Sequence, residues 1–242
     1  MIGSKRVLAV VPARGGSKGV KLKNLRKIGE SPIVSLAIRT ALAVPEIDHT
    51  VVSTDHDDIA AAAEAVGIRV PFRRPESLSG DRIGDVEVLQ HALHASERDT
   101  GQHFDIVVML QPTSPLRTPG DVSRAIHMLV DSSFDAVWSV SETDTKAHPL
   151  KQLIVKENGA MDYYDEAGAR VIARQQLKPL YHRNGIVYAI NRACLTEHST
   201  IKGTNTGAMI VEGDHVSIDT EWDFQLVNFL VQEGKVRDGV IL

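Results

Sequence analysis

Short apolar runs recur along the chain and alternate with longer amphipathic stretches. The runs are rich in β-branched residues and have the length of a buried strand. We predict strands at residues 7–11, 50–53, 68–72, 106–110, 135–140, 186–190, 208–211 and 216–218. Continuous apolar runs of this kind are typical of strands that are buried on both faces of a parallel sheet.

The stretches between these runs carry apolar residues at helical spacing. We predict helices at residues 32–43, 58–66 and 86–95, and from residues 119 and 220 onward. Three short polar side chains at helix starts are expected to accept hydrogen bonds from the first helical amides: Ser31, Asp55 and Thr118. Asp219 is expected at the start of the last helix. Alternating strands and helices predict an α/β fold with a mainly parallel sheet and helices on both faces.

Residues 141–179 break this alternation with short strand-like pieces and an Asn158-Gly159 dipeptide that is typical of a hairpin turn. We interpret this segment as an arm inserted into one domain that spans residues 1–242. The chain length is within the range that a single α/β domain covers.

Charge excludes some function classes. The chain has 27 basic and 31 acidic residues and a net charge of −4, without a long basic run, so we expect neither a nucleic-acid partner nor a membrane-surface partner. The first 27 residues are an exception, because they contain eight Lys or Arg residues and no acid. This local positive charge predicts a small anionic ligand.

Cysteine usage and hydropathy indicate the compartment. Cys194 is the single cysteine, so no intramolecular disulfide can form, and no cysteine–histidine spacing typical of zinc sites is present. The first apolar stretch is too short for a signal peptide, and no run of about 18 apolar residues occurs. We therefore expect a cytoplasmic protein.

The first motif that carries chemistry is ARGGSKG, residues 13–19, directly after a predicted strand. Glycines let backbone amides approach phosphate oxygens, and the neighbouring cations favour an anion. Lys18, Lys21, Lys23 and Arg26 lie close together in sequence, and an anionic ligand would relieve their repulsion. The motif matches neither the P-loop nor the dinucleotide fingerprint. A flexible surface turn is the alternative.

Two further motifs follow predicted strands. QPTSPLR, residues 111–117, is a proline-stiffened loop at the sheet edge where open α/β folds bind ligands, although a structural turn explains it equally well. Asp219 begins a run of three carboxylates and is placed to bind Mg²⁺, which takes one or two protein carboxylates together with phosphate oxygens. Further cations and amides occur in HPLK (148–151), RQQ (174–176) and HRNG (182–185).

Taken in order, ARGGSKG, Lys23-Asn24, Arg74-Pro75-Glu76, QPTSPLR, HPLK, RNGIVY and IDTEWD resemble the acylneuraminate cytidylyltransferase family. The resemblance spans residues 7–230. It implies a Rossmann-like α/β fold of the nucleotidyltransferase type, a homodimer formed through the arm, and Mg²⁺-dependent transfer of CMP from CTP to a nonulosonic acid. The motifs are more similar to the nine-carbon branch of the family than to the eight-carbon one.

The resemblance also implies roles for individual residues. Catalytic contacts to the triphosphate fall on Arg14, Lys18 and Lys23. The nucleotide is bound by Ala13, Arg14, Gly15, Ser17, Asn24 and Arg74. The sugar acid is bound by Gln111, Lys151, Arg174 and Tyr188, and the metal by Asp219.

Two positions depart from the family pattern. Lys21 replaces a common proline, and Ser217 stands where close relatives often have a second aspartate, which leaves Asp219 as the metal ligand. The sequence does not identify a general base. A sugar-1-phosphate nucleotidyltransferase and a non-catalytic nucleotide-binding module are the alternative functions, and pyrophosphate release with different acceptors distinguishes them.

Overall fold

The structure is a computed structural model that describes residues 1–16, 19–213 and 215–242. The strands are β1 (Val7–Pro12), β2 (Lys27–Ile28), β3 (Ser31–Pro32), β4 (His49–Ser53), β5 (Ile106–Met109), β6 (Ala136–Glu142), β7 (Leu153–Val155), β8 (Met161–Tyr163), β9 (Tyr181–Asn191) and β10 (Thr206–Ile210). The helices are α1 (Ile33–Leu42), α2 (Asp57–Glu64), α3 (Asp85–Thr100), α4 (Pro119–Val130), α5 (Arg192–Thr196) and α6 (Glu221–Gln232).

In the described residues, the main sheet has six strands in the order β10-β6-β9-β5-β1-β4. β9 runs antiparallel to both β5 and β6, and the other three strand pairings of the order are parallel. The carboxyl ends of the five parallel strands and the amino end of β9 therefore meet at one edge. The predicted mainly parallel α/β sheet is confirmed.

The sheet is buried on both faces, as the apolar runs predict. In β1, Val7, Ala9 and Val11 pack on one face with side chains of α1, α2 and α4. Leu8 and Val10 pack on the other face with α3. Each such side chain contributes about 1.5–3 kcal/mol when it is fully buried, so the central strands form a rigid base for the loops at their ends.

α6 packs against a separate apolar cluster. Ile28, Ile33, Leu116 and Ile218 bury the inner face of this helix together with Phe224 and Val227. Through this cluster, α6 packs against the segments that follow β1 and β5. The start of α6 therefore lies at the edge where the carboxyl ends of the parallel strands meet. Among the helices in the described parts of the chain, none combines the length and the apolar character that a bilayer-spanning helix requires.

Thr118 caps α4 as predicted, in a reciprocal arrangement with Asp121. The predicted caps at Ser31 and Asp55 are wrong. α1 begins after Pro32 without a side-chain cap, and the Ser31 hydroxyl instead accepts a hydrogen bond from Arg39.

The cap of α2 lies one residue after Asp55, and α6 begins one residue after its predicted start at Thr220. His56 caps α2 through Nδ1, which accepts from the Asp58 amide, because Asp55 is engaged with the Gly15 amide. Thr220 caps α6.

The predicted strands at residues 68–72 and 216–218 are wrong as well. Ile68 and Val70 pack on the core beneath α2, and Ile218 packs beneath α6, so their apolar character serves core packing and not strand pairing. Ile218 makes one strand-like hydrogen bond, from its amide to the Thr113 carbonyl at 2.8 Å.

The segment at residues 141–179 contains the predicted hairpin, in which β7 pairs with β8 and Gly159 has a φ of 81°. Its chain leaves the sheet at the end of β6 and returns at the start of β9, where Glu142 pairs with Tyr181. Large apolar side chains of this arm are exposed, among them Val155 at 71%, Met161 at 68% and Ile172 at 93%.

Candidate active site

A pocket of about 400 Å³ opens at the carboxyl edge of the sheet. Its walls come from the loop after β1, from residues 78–88 at the start of α3, from the loop after β5 and from the residue before Thr220. Arg14, Lys23, Asn24, Arg74, Gln111 and Asp219 all line it. The structure thus brings six of the predicted site residues into one cavity.

The loop after β1 is held by its backbone. The Ala13 amide donates to the Ser53 carbonyl at 2.9 Å, and the Gly15 amide donates to the Asp55 carboxylate at 2.9 Å. A Cβ added at Gly15 would lie 2.6 Å from His56 Cδ2, so this close approach requires glycine. Ser17 and Lys18, which were predicted to contact the triphosphate, lie outside the described residues.

Arg14 of the first motif and Lys23, which follows it, are each paired with a carboxylate. An Arg14 guanidinium nitrogen lies 2.9 Å from the Asp81 carboxylate. Lys23 Nζ donates to the Asp219 carboxylate at 3.0 Å and to the Ile218 carbonyl at 2.6 Å. Each cation is therefore already oriented within the pocket wall.

Asn24 and Arg26 have different roles. Asn24 is buried, and its side-chain amide donates to the Arg14 carbonyl at 2.9 Å, which fixes the turn that follows the phosphate motif. Arg26 binds both carboxylate oxygens of Glu221 and stacks on Phe224 with 4.5 Å from its guanidinium carbon to the ring centroid. Arg26 therefore holds the start of α6 in place and does not line the pocket wall. Lys21 of the same segment is exposed.

Arg74 connects the opposite wall to the sheet. Its guanidinium donates to the Ser53 hydroxyl at 3.0 Å and to the Ser53 carbonyl, and its amide donates to the Thr54 carbonyl. Burial lowers the pKa of Arg74, and the nearby Asp55 opposes that shift. The side chain is thus a cation placed at the end of β4.

A fully buried arginine organises the loop that contains Gln111. Arg117 Nε donates to the Ser114 carbonyl at 3.0 Å, and its Nη2 donates to the Gln111 carbonyl. Burial lowers the pKa of Arg117 to about 9, so the guanidinium is protonated at neutral pH. Among the described residues, its Nη1 has no hydrogen-bond partner.

The same loop is fastened to β9. The Ser114 hydroxyl donates to the Asn184 carbonyl at 2.9 Å. Gly185 has a φ of 71°, and a Cβ added there would lie 2.7 Å from both Gln111 Oε1 and the Ser114 hydroxyl. The RNG and QPTSPLR motifs are therefore two halves of one packed unit that positions Gln111.

The other predicted sugar-acid residues do not line the pocket in the described chain. Tyr188 is buried opposite Met109 in β5 and meets Trp138 edge-to-face at 5.5 Å between ring centroids. Burial raises the pKa of Tyr188. Lys151 and Arg174 are exposed on the arm.

The pocket wall carries three carboxylates: Asp81, Asp85 and Asp219. No group of three or more metal-ligating side chains occurs within the part of the chain that the structure describes. A magnesium ion that takes most of its ligands from phosphate oxygens and water needs only one such carboxylate. Asp219, whose side chain is 75% exposed beside Lys23, fits that requirement.

Asp85 is a pocket residue that the sequence analysis missed. It is the first residue of α3, where an acidic side chain ordinarily signals only favourable interaction with the helix dipole. Burial raises the pKa of its carboxyl group, and the positive charges of Arg183 and Arg74 oppose the shift.

Comparisons with known proteins agree over nearly the whole chain. The family model described as cytidylyltransferase matches residues 8–229. Post-translational flagellin modification protein B of Campylobacter coli is 31% identical over 232 residues, covering 96% of this chain and 97% of that protein. CMP-N,N'-diacetyllegionaminic acid synthase of Campylobacter jejuni is 31% identical over 226 residues, covering 93% and 94%.

A solved structure shows the same fold. It is a CMP:2-keto-3-deoxy-manno-octonic acid synthetase complexed with CTP, and it superposes with a TM-score of 0.71 at 19% identity, covering 95% of this chain and all of that one.

Proposed function

The chain belongs to the cytidylyltransferase family, and on that premise we propose that it transfers CMP from CTP to the anomeric hydroxyl of a nonulosonic acid and releases pyrophosphate. The observation that carries this proposal is the pocket that Arg14 of the first motif, the following Lys23 and Asn24, and Gln111 line together. A relative that matches 93% of the chain is named as a CMP-legionaminic acid synthase, which supports an acceptor of this class.

The cations of the pocket would position the triphosphate and stabilise its charge. Phosphoryl transfer depends mainly on positioning and on positive charge near the phosphate oxygens. Arg14 and Lys23 supply that charge from fixed positions, because Asp81 and Asp219 orient them. Ser17 and Lys18 of the same motif would add further contacts, while Asn24 and Arg74 would border the nucleotide.

We propose Mg²⁺ as the cofactor, with Asp219 as its protein ligand. A bound magnesium ion would neutralise phosphate charge and orient the leaving pyrophosphate. Asp219 lies at the start of α6, and its backbone amide donates to the Asp223 carboxylate at 3.0 Å. Lys23 on one side and this helix start on the other side hold the Asp219 carboxylate at the pocket mouth.

The acceptor would lie beside Gln111 and above Tyr188. Lys151 and Arg174, which are proposed to bind its carboxylate, are carried by the arm at residues 141–179, whose apolar side chains are exposed. We therefore propose a homodimer in which a second copy covers the arm. A cytoplasmic location is proposed from the need for CTP and from the free, buried Cys194.

The test is pyrophosphate release from each of the four nucleoside triphosphates with Mg²⁺, crossed with nonulosonic acids, an eight-carbon acid and sugar 1-phosphates. Release with CTP and one nonulosonic acid is the expected result. Pyrophosphate release only with a sugar 1-phosphate would mean that the acceptor is a sugar 1-phosphate and not a nonulosonic acid. Nucleotide binding without release under any condition would contradict an enzymatic function.

A further inference from the structure

The three carboxylates of the pocket differ in what they contact. Asp81 is paired with Arg14 at 2.9 Å, and Asp219 is paired with Lys23 at 3.0 Å. Within the described ranges, the Asp85 side chain has no hydrogen bond or ion pair at such distances. Considering only the described residues of the pocket, Asp85 is the carboxylate that is not paired with a cation.

Asp85 also has charged neighbours from other elements. Arg74, which lines the same pocket, is fixed to the end of β4 through Ser53. Arg183 belongs to β9 and stacks on Trp138 with 5.4 Å from its guanidinium carbon to the ring. The electrostatic partners of Asp85 are these two arginines, Glu87 on its own helix, and Tyr188 on β9. The charges around Asp85 thus come from α3, from the segment after α2 and from β9.

We propose that Asp85 is the proton acceptor for the attacking hydroxyl, an inference that rests on the proposed function. The anomeric oxygen forms a bond to the α-phosphorus of CTP, and the bond from that phosphorus to the oxygen bridging to the β-phosphate breaks. Pyrophosphate leaves with the bonding electron pair, and the hydroxyl proton passes to the Asp85 carboxylate. No other reactant is needed to balance the step.

The surroundings suit this role. Burial raises the pKa of Asp85, and the charge of Glu87 adds to the shift, so the ionised carboxylate is a stronger base than an exposed aspartate. The carboxylates of Asp81 and Asp219 are instead paired with Arg14 and Lys23. Val88 and Leu78 contribute apolar surface to the same wall.

The experiment measures kcat for pyrophosphate release from about pH 5 to about pH 9, with CTP and the acceptor of the wild-type enzyme. The variants are Asp85→Asn, Asp85→Glu and the neighbouring Glu87→Gln, whose side chain is exposed. CTP affinity and thermal unfolding are measured for each, so that loss of folding or of nucleotide binding is detected separately.

We expect Asp85→Asn to lower kcat by about a hundredfold or more and to leave CTP affinity nearly unchanged. It should also remove the decrease of kcat at low pH, which is the acidic limb of the kcat–pH profile. Asp85→Glu should restore part of kcat together with the limb. Glu87→Gln should keep the plateau and move the limb to lower pH, because loss of a neighbouring negative charge lowers the pKa of Asp85.

An Asp85→Asn enzyme that keeps the wild-type acidic limb overturns the inference. Retained kcat with a relaxed preference for CTP over UTP overturns it too, because Asp85 would then bind the cytosine amino group. A wild-type enzyme that uses only sugar 1-phosphates overturns both this inference and the proposed acceptor, since a phosphate nucleophile needs no proton acceptor. Activity with a nonulosonic acid combined with an unchanged limb overturns this inference alone.

Discussion

Replacement of Gly185 by alanine tests whether the contact between β9 and the QPTSPLR loop positions Gln111. Gly185 is buried with a φ of 71°, and the added Cβ would lie 2.7 Å from Gln111 Oε1 and 2.7 Å from the Ser114 hydroxyl. Two effects add. The left-handed backbone disfavours alanine by about 1–2 kcal/mol, and the forced contacts with a packed neighbour cost about 1–3 kcal/mol more.

Gly101→Ala is the matched control. Gly101 has a φ of 67°, it ends α3, and nothing lies within 4 Å of the position its Cβ would take. This variant should lose only the backbone contribution. The free energy of unfolding of Gly185→Ala should therefore fall below that of Gly101→Ala by about 1–3 kcal/mol.

Equilibrium urea unfolding followed by circular dichroism measures this difference, and steady-state kinetics measure its effect on the site. We expect Gly185→Ala to lower kcat/KM for the acceptor by about tenfold or more, as loss of one hydrogen bond to a charged group implies. Gly101→Ala should have wild-type kinetics. Equal destabilisation by the two substitutions, with unchanged kinetics, would refute the positioning role of this contact.

Four further outcomes are expected. Arg14→Ala should lower pyrophosphate release by about a hundredfold or more with little change in unfolding, because its partner Asp81 is 41% exposed; near-normal release would remove Arg14 from the phosphate site. Asp219→Asn should raise the Mg²⁺ concentration needed for half-maximal activity, and an unchanged titration would place the metal elsewhere. Burial raises the pKa of Asp121, but hydrogen bonds from Arg237 and the Thr118 amide lower it more. The ionised carboxylate therefore stabilises the fold at pH values above its ordinary pKa of 3.8, and this stabilisation is lost as the pH falls through the lowered pKa. The stability difference between the wild type and Asp121→Asn should accordingly shrink from about pH 7 to about pH 3, and a constant difference would contradict this. Light scattering should show a dimer for the wild type and a monomer for Ile172→Asp, whereas a wild-type monomer would remove the proposed arm-mediated dimer.

The parallel sheet was predictable because each of its central strands is a continuous apolar run. The run at residues 7–11 matches β1 within one residue, and its side chains are buried on both faces. The same signal failed at residues 68–72, since Ile68 and Val70 are buried by core packing without strand pairing. The hydropathy of a segment predicts that it is buried, but it does not predict whether its backbone pairs with a neighbouring strand.

The site was predictable where its residues directly follow a strand. Arg14 and Gln111 come after β1 and β5, whose ends are neighbours through their parallel pairing. The role of Arg117 was not predictable, because an arginine in a loop ordinarily indicates exposure and only the fold buries this one. Asp85 was missed for the related reason that its pocket position depends on how α3 lies on the sheet.

The pairing of Glu142 with Tyr181 has a consequence for how this chain can vary. The two ends of the arm are neighbours in the sheet, so the connection between them acts as a loop whose length changes closure entropy only slowly, by about 0.6 kcal/mol per doubling. The six strands and their core retain the same contacts whether that loop is long, short or rebuilt. Both of its anchor points lie on the edge that carries the pocket, so the arm can change in length or sequence while the sheet and the pocket residues at its edge keep their positions.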